Sequence, residues 1–301
     1  MRYDKPPLTF QEQADLLLAR GLRADRELLI ARLKAVSYYR LSGYWFPFRQ
    51  SNPDQKFKPG TSLETIWKRY TFDRRLRLLI MDAIERVEVA VRTSLIYHLS
   101  HGHGPFGYTD PVNLPNITPR VHADLLKKIK KETQRSKETF VTHFNEKYGD
   151  CHDHLPIWMA SEIMTFGMLL TLFRGVKTSI KQEIAREYGV TDKVLESWLR
   201  ALNAVRNICA HHGRLWNREL GYKPMIPKKR KHPEWHEPVA VGNNRIFAIL
   251  TVLKYLMRQI APQSSWPERF YKLLAAYPEI PFWPMGFPEN WRECGIWWAN
   301  E

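Results

Sequence analysis

The longest periodic segment of the chain extends from about residue 61 to residue 100. Its apolar residues recur at spacings of three and four, which is the pattern of one buried helix face. Thr61 and Glu64 form a capping-box pattern at its start, which is typical of a helix N-terminus. The segment therefore predicts one very long helix, or two helices separated by a bend. The apolar residues are Ile66, Trp67, Tyr70, Phe72, Leu76, Leu79, Ile80, Ala83, Ile84, Val87, Val91 and Leu95.

Shorter helical patterns fill much of the remaining chain. A capping box at Thr9 and Glu12 begins a helix to about Arg20, and a second helix covers about 25–36. This pair predicts a hairpin packed on the main body, or a small helix-turn-helix-like unit. Later helical patterns cover about 118–135, 156–173, 179–188, 243–260 and 266–276. Residues 278–301 are rich in Pro and Trp, and we expect this tail to wrap the body.

The charge of the chain favours a polyanionic partner. Lys and Arg number 46 against 31 Asp and Glu, which gives a net charge of +15. A compact protein this basic commonly binds nucleic acid, although a basic surface can also be inert. No run of 18 apolar residues and no apolar signal core are present, so we expect no membrane association and a cytoplasmic location. Three scattered cysteines do not form a disulfide framework.

The most informative polar cluster lies at residues 206–212, at the end of a helical pattern. Gly213 follows and is predicted to be the C-cap. Arg206 carries a permanent positive charge that can bind a phosphate. His211, with Asn207 one turn before it, can transfer a proton near neutral pH. These residues, with His212 beside them, could cleave RNA without a metal. Alternatively, the same side chains complement the helix dipole and bind its last carbonyl groups.

Two acidic residues of the long segment are candidates to orient the arginine. Glu85 and Glu88 lie deep in that segment, and either is predicted to hold Arg206 across a pair of helices. The alternative is that Glu88 forms only a surface ion pair with Arg92, four residues later.

Further basic residues are candidates for RNA contact. Arg40 lies in an aromatic stretch, 37–48, which either clamps single-stranded bases or forms a packed core loop. Arg214 follows the motif directly. Two lysine-rich groups either contact phosphates or form solvated surface. The groups are Lys127, Lys128 and Lys131 in a basic helix, and Lys228, Lys229, Arg230 and Lys231 in an irregular segment.

Histidines are frequent at 98–103, and Cys151, His152, Asp153 and His154 are consecutive. Neither stretch is completed by a second cluster at the spacing of a zinc site. We predict no metal site and no cofactor.

Several stretches, taken in order, resemble the Abi-like (AbiD/AbiF) abortive-infection proteins of bacteria, a branch of the HEPN superfamily. The matching pieces are YRLSGY at 39–44, YTFDRRLR at 70–77, IERVE at 84–88, PIW at 156–158, FG at 166–167 and RNICAHHGRLWN at 206–217. The resemblance covers roughly residues 9–260. It implies an all-α fold with a helical-bundle core. It also implies a metal-independent ribonuclease motif, R-x4-6-H, which maps to Arg206 and His211, with His212 as the alternative histidine.

The resemblance also implies a homodimer in which two copies of the motif face one cleft. On this basis we predict an N-terminal hairpin with an aromatic loop at 1–50, a HEPN-like core at 51–262, and a C-terminal helix with a wrapping tail at 263–301. The leading functional hypothesis is an endoribonuclease of phage defence or toxin type. The alternatives are a non-catalytic RNA-binding module, which the charge supports equally well, and a DNA-binding regulator that uses the N-terminal helix pair.

Overall fold

The computed structural model describes residues 2, 6–51 and 55–298, and this part of the chain is all-α, as predicted. Its β-structure is limited to isolated bridges. No helix within these ranges is long and apolar enough to cross a membrane. The α-helices are α1 Phe10–Ala19, α2 Arg26–Val36, α3 Tyr38–Trp45, α4 Leu63–His103, α5 Pro119–Arg135, α6 Thr139–Tyr148, α7 Ile157–Ile163, α8 Phe166–Gly175, α9 Thr178–Glu187, α10 Asp192–Ala210, α11 Ile246–Ile260 and α12 Trp266–Ala275.

The long periodic segment is a single helix, α4, of 41 residues. At 1.5 Å per residue it is about 62 Å long. It contains no proline, and its one glycine, Gly102, lies next to its C-terminal residue. The N-cap is Ser62 rather than the predicted Thr61. The Ser62 hydroxyl accepts a hydrogen bond from the Thr65 amide at 3.2 Å, whereas the Thr61 hydroxyl donates to the Lys58 carbonyl.

Two hydrophobic clusters share α4. Its first turn contributes Leu63 and Ile66 to an N-terminal cluster formed with α1, α2 and α3. From Phe72 to Leu99 it contributes to the main core. In the main core, α11 packs along α4 and is almost entirely buried from Ile246 to Met257. The long helix therefore connects the N-terminal hairpin to the helices that carry the Arg206–His212 motif.

The aromatic stretch 37–48 is helical, so the prediction of a loop is wrong. Ser37 begins α3, and its hydroxyl accepts a hydrogen bond from the Arg40 amide at 3.4 Å. The helix buries Leu41, Tyr44 and Trp45 in the N-terminal cluster. Phe46–Phe48 then forms a 3-10 turn that contains Pro47. The α-helix ends before it because proline cannot continue the hydrogen-bonding pattern.

The apolar stretch 156–173 was predicted as one helical segment, but it is interrupted. It contains two helices, α7 and α8, separated at Met164 and Thr165, which have extended backbone conformations. Thr165 caps α8 by accepting a hydrogen bond from the Met168 amide at 3.3 Å.

The sequence patterns did not predict α6. The domain boundaries at 50 and 262 stay a prediction.

The C-terminal tail, as far as residue 298, packs on α11 and α12. Trp297 is buried, and its indole N–H donates to the Thr251 hydroxyl at 2.8 Å. Lys254 is also buried, and its ammonium group donates to the Trp297 carbonyl at 3.1 Å. Arg258 donates to the Ile296 carbonyl at 2.6 Å. Burial, with the nearby charge of Arg258, lowers the pKa of Lys254 to about 8.

This lowered pKa makes the stability of the tail region depend on pH. Between about pH 8 and about 10.4, the unfolded chain binds more protons at Lys254 than the folded protein does, so the free energy of unfolding rises with pH. From pH 7.5 to 9.5, Lys254 should raise the free energy of unfolding of wild type by about 1–2 kcal/mol. The Lys254→Met variant should not show this increase. Urea unfolding at both pH values measures this. Lys272→Met, on the exposed surface of α12, should retain the full rise; equal pH dependence in both variants would contradict the assignment.

Candidate functional site

The Arg206–His212 motif lies at the C-terminus of α10. The N-cap of this helix is Thr191, and its C-cap is His211. His212 has a left-handed backbone, with φ +57. The His212 amide donates to the Cys209 carbonyl at 2.9 Å, and the Gly213 amide donates to the Ile208 carbonyl at 2.7 Å. These two bonds form a Schellman motif.

The left-handed residue is therefore His212, and the prediction that Gly213 fills this role is wrong. Histidine is one of the non-glycine residues that adopt this conformation more often than most. Gly213 is needed for a different reason. A methyl group at Gly213 would lie 2.9 Å from Ile208 Cγ2 and 3.1 Å from the Ile208 carbonyl oxygen. The helix end thus depends on the backbone of one residue and on the small size of the next.

The candidate catalytic side chains face solvent at this helix end. Asn207, His211 and His212 are exposed, and Arg206 is half-buried. Arg206 Nη1 lies 3.4 Å from Asn207 Oδ1, a weak hydrogen bond between neighbours. Neither imidazole makes a hydrogen bond to the parts of the chain that the structure describes. Both imidazoles are therefore available to a bound molecule.

The two predicted orienting carboxylates differ in their surroundings on α4. Burial raises the pKa of Glu88, and the positive charges of Arg92 and Arg206 oppose this effect. Glu88 accepts a hydrogen bond from Arg92 at 2.7 Å, and Arg92 also approaches the Met164 carbonyl at 3.3 Å. No hydrogen bond joins Arg206 to Glu85 or Glu88 in the described ranges, and Glu85 is exposed. The charge of Arg206 thus favours the ionised form of Glu88, whose direct partner is Arg92, and an orienting role of Glu85 or Glu88 toward Arg206 stays a prediction.

Arg40 and Arg214 lie next to the motif. Arg40 Nη1 donates to the His212 carbonyl at 2.5 Å, which joins α3 to the end of α10 across 172 residues of sequence. Arg40 is otherwise exposed. Arg214 Nη1 donates to the Trp216 carbonyl at 3.0 Å and approaches the Asn217 carbonyl at 3.4 Å, so this group supports its own loop.

A buried carboxylate, Asp73, fixes the segment that follows the motif. Asp73 Oδ1 accepts hydrogen bonds from the amides of Trp216 at 2.7 Å and Leu215 at 3.1 Å. Oδ2 accepts one from the Tyr44 hydroxyl at 2.6 Å and pairs with Arg77. Burial raises the pKa of Asp73, and the charge of Arg77 with these donors opposes that rise. The network connects α3, α4 and the loop after α10.

The lysine-rich groups lie on two exposed segments of the chain. Lys127, Lys128 and Lys131 are exposed on α5, which packs against α7 and α8. The segment containing 228–231 is also exposed, and Lys229 pairs with Glu237. Its neighbour Met225 accepts a hydrogen bond from the Trp198 indole at 2.8 Å. Trp198 is 13 residues before His211, about 20 Å along α10.

The comparisons with known proteins identify the family. The family model described as Abi-like protein matches residues 31–217, which is more than half of the chain. The chain belongs to the Abi-like protein family. The matched region of this Abi-like protein contains α3, α4, α10 and the motif. None of the curated proteins and none of the solved structures matches the chain. The family suggests abortive infection, a form of phage defence.

Sequence reasoning missed the role of Asp73, Tyr44 and Arg77. A signal was present, because Asp73 and Arg77 occupy positions one turn apart beside the apolar stripe of Phe72, Leu76 and Ile80. Charged residues at positions on the buried side of a helix are rare unless they are paired. The partners of Asp73 on other parts of the chain carry no comparable signal, because two of them are backbone amides.

Removing the charge of Asp73 should destabilise the protein strongly. Asp73→Asn keeps the shape of the side chain but leaves the buried Arg77 without its counter-charge, which should reduce the free energy of unfolding by roughly 3–5 kcal/mol. Asp82→Asn is the matched control, because Asp82 is on the same helix and pairs with Arg86 and Arg269 nearer the surface. It should lose about 1 kcal/mol or less. Urea unfolding that gave equal losses would contradict the structural role of Asp73.

The backbone of position 212 can be tested separately from its imidazole. His212→Gly removes the ring and keeps the left-handed conformation, so its stability should stay within about 1 kcal/mol of wild type. His212→Val should lose roughly 1–3 kcal/mol, because a β-branched residue is strained there. Thermal unfolding monitored by circular dichroism distinguishes the two. If the valine variant were as stable as the glycine variant, the left-handed assignment would be wrong.

Proposed function

We propose that this Abi-like protein is a metal-independent endoribonuclease of the HEPN type that acts in the bacterial cytoplasm, in phage defence or as the toxin of a toxin–antitoxin pair. The observation that carries the proposal is the end of α10. There an arginine meets two exposed histidines, whose imidazoles make no hydrogen bond to the described ranges, on a backbone fixed by a Schellman motif and by Arg40. Family membership supports the biological role.

Each side chain has a defined part in the proposed reaction. Arg206 binds the phosphodiester and stabilises the charge that develops on its oxygens. Asn207 orients the phosphate or the histidine, and Glu88 stabilises the charge of Arg206. One histidine removes the proton of the 2′-hydroxyl, whose oxygen then attacks the adjacent phosphorus. The 5′-oxygen leaves and takes a proton, which produces a 2′,3′-cyclic phosphate and a 5′-hydroxyl.

The reaction needs both a base and an acid, and a homodimer would supply them. In the proposed dimer, two copies of the motif face one cleft, so that one imidazole acts as base and the other as acid. This division of roles requires that the imidazole be exposed on the surface of each protomer. The exposure of His211 and His212 is consistent with this arrangement.

The second candidate is an RNA-binding module without catalysis. The net charge of +15 favours it, together with the exposure of the lysine-rich groups. Phosphate contacts at α5 and at 228–231 would bind RNA whether or not the motif cleaves it. This candidate predicts salt-dependent RNA binding with no product.

Substitution of the two histidines should identify the catalytic one. With mixed single-stranded and structured RNA in EDTA, we expect wild type to release 2′,3′-cyclic phosphate ends. If His211 is catalytic, His211→Ala should reduce the cleavage rate at least about 100-fold, because a general acid or base contributes that much or more. His212→Gly should then retain most of the activity, since it preserves the backbone.

His143→Ala, on the exposed surface of α6, is the matched control and should cleave like wild type. The reverse pattern, with His212→Gly inactive and His211→Ala active, would assign the role to His212. Cleavage by both single variants at the wild-type rate would disprove a role for the motif. Salt-dependent binding without any product would favour the second candidate.

A further inference from the structure

Helix α3 has two chemically different sides. Leu41, Tyr44 and Trp45 are buried in the N-terminal cluster. Tyr39 and Phe46, in contrast, are 90% and 71% exposed. Phe46 is the C-cap of α3 and keeps helical backbone angles. Residues seven apart differ by only about 20° around a helix, so Tyr39 and Phe46 start from one outer face, about 10 Å apart along the axis. Large exposed aromatic side chains on one face of a basic protein indicate a binding surface.

This outer face borders the end of α10. Arg40, adjacent to Tyr39, donates to the His212 carbonyl at 2.5 Å. Gly43 lies between Tyr39 and Phe46 in the helix turn, and a methyl group there would be 3.4 Å from Arg214 Nε. The Arg214 side chain, from the loop after the motif, therefore lies against α3 at Gly43. The two exposed rings lie at the edge of the candidate site.

The two segments that carry the rings and the end of the motif contain only basic charges of their own. Residues 37–51 and 211–218 contain no Asp or Glu, and they include Arg40, Arg49, Arg214 and Arg218. A polyanion with aromatic groups matches both the charge and the rings. Single-stranded RNA has this chemistry, because its phosphates are anionic and its unpaired bases offer flat surfaces for stacking.

We propose that Tyr39 and Phe46 stack unpaired bases of a single-stranded RNA whose phosphates lie at Arg40 and the end of α10. This inference rests on the proposed function, since it assumes that RNA is the ligand of this site, and it adds a substrate class. In a duplex the bases already stack on one another and do not present their faces to a protein. The site therefore selects single strands, and Tyr39 and Phe46 are specificity-determining residues.

The test measures RNA binding in a parent protein that carries both His211→Ala and His212→Gly, so that neither candidate catalytic imidazole remains. The probes are a labelled single-stranded RNA of about 12 nucleotides, an abasic strand of the same length and a fully paired hairpin. Fluorescence anisotropy compares Tyr39→Ala, Tyr39→Phe and Phe46→Ala. Trp283→Ala is the matched control, because Trp283 is 76% exposed and lies in the C-terminal tail. Sedimentation of each variant monitors its oligomeric state, and circular dichroism confirms its folding.

We expect Tyr39→Ala and Phe46→Ala each to weaken binding of the single strand roughly 5- to 100-fold. Binding of the abasic strand should stay unchanged, because its phosphate contacts remain. Tyr39→Phe, which keeps the ring, should bind like the parent, and so should Trp283→Ala. The parent should prefer the single strand to the hairpin.

Three results would overturn the inference. If the parent binds the single strand and both alanine variants bind it equally well, the rings do not stack bases, although the proposed function stands. If the alanine variants dissociate a dimer, the face is a surface for self-association. If the parent binds none of the probes and wild type cleaves no RNA, the proposed function fails and the inference fails with it.

Discussion

The buried carboxylate of Asp73 is the interaction on which the candidate site depends. It receives hydrogen bonds from Tyr44 of α3 and from the amides of Leu215 and Trp216, and it pairs with Arg77 one turn along α4. A charge taken out of water is tolerated only when it is paired and hydrogen-bonded, so each partner is held in place. One carboxylate thereby sets the position of α3 and of the loop that follows α10.

At the end of α10, the groups that fix the backbone are different from the candidate catalytic side chains. The backbone at the end of α10 is fixed by the two Schellman hydrogen bonds and by Arg40, while the imidazoles of His211 and His212 remain exposed. A functional site works best when its supporting groups are rigid and its reacting groups are unoccupied. Cys209, just inside the helix end, belongs to the support, because burial raises the pKa of its thiol to about 12 and keeps it protonated.

Local patterns predicted the helices well and the contacts between them poorly. The spacing of apolar residues indicated α4 and α10, and the hydroxyl before each helix gave its start to within a residue. The helix within 37–48 and the break at Met164 were not predicted, because both depend on caps inside strongly apolar stretches. The motif itself was visible because Arg206, Asn207 and His211 are close in sequence. The contact between Arg40 and His212 joins residues 172 apart, and no local pattern contains that information.

The distance in sequence between Asp73 and Trp216 also has a consequence for synthesis. The ribosome must release more than two thirds of the 301 residues before Asp73 can meet the amides that orient the loop after α10. Helix α11, which covers α4 in the main core, emerges later still. Contacts between distant residues form only once both partners are available. A nascent chain that has not yet reached Trp216 therefore lacks the contacts that hold the loop after α10 in place.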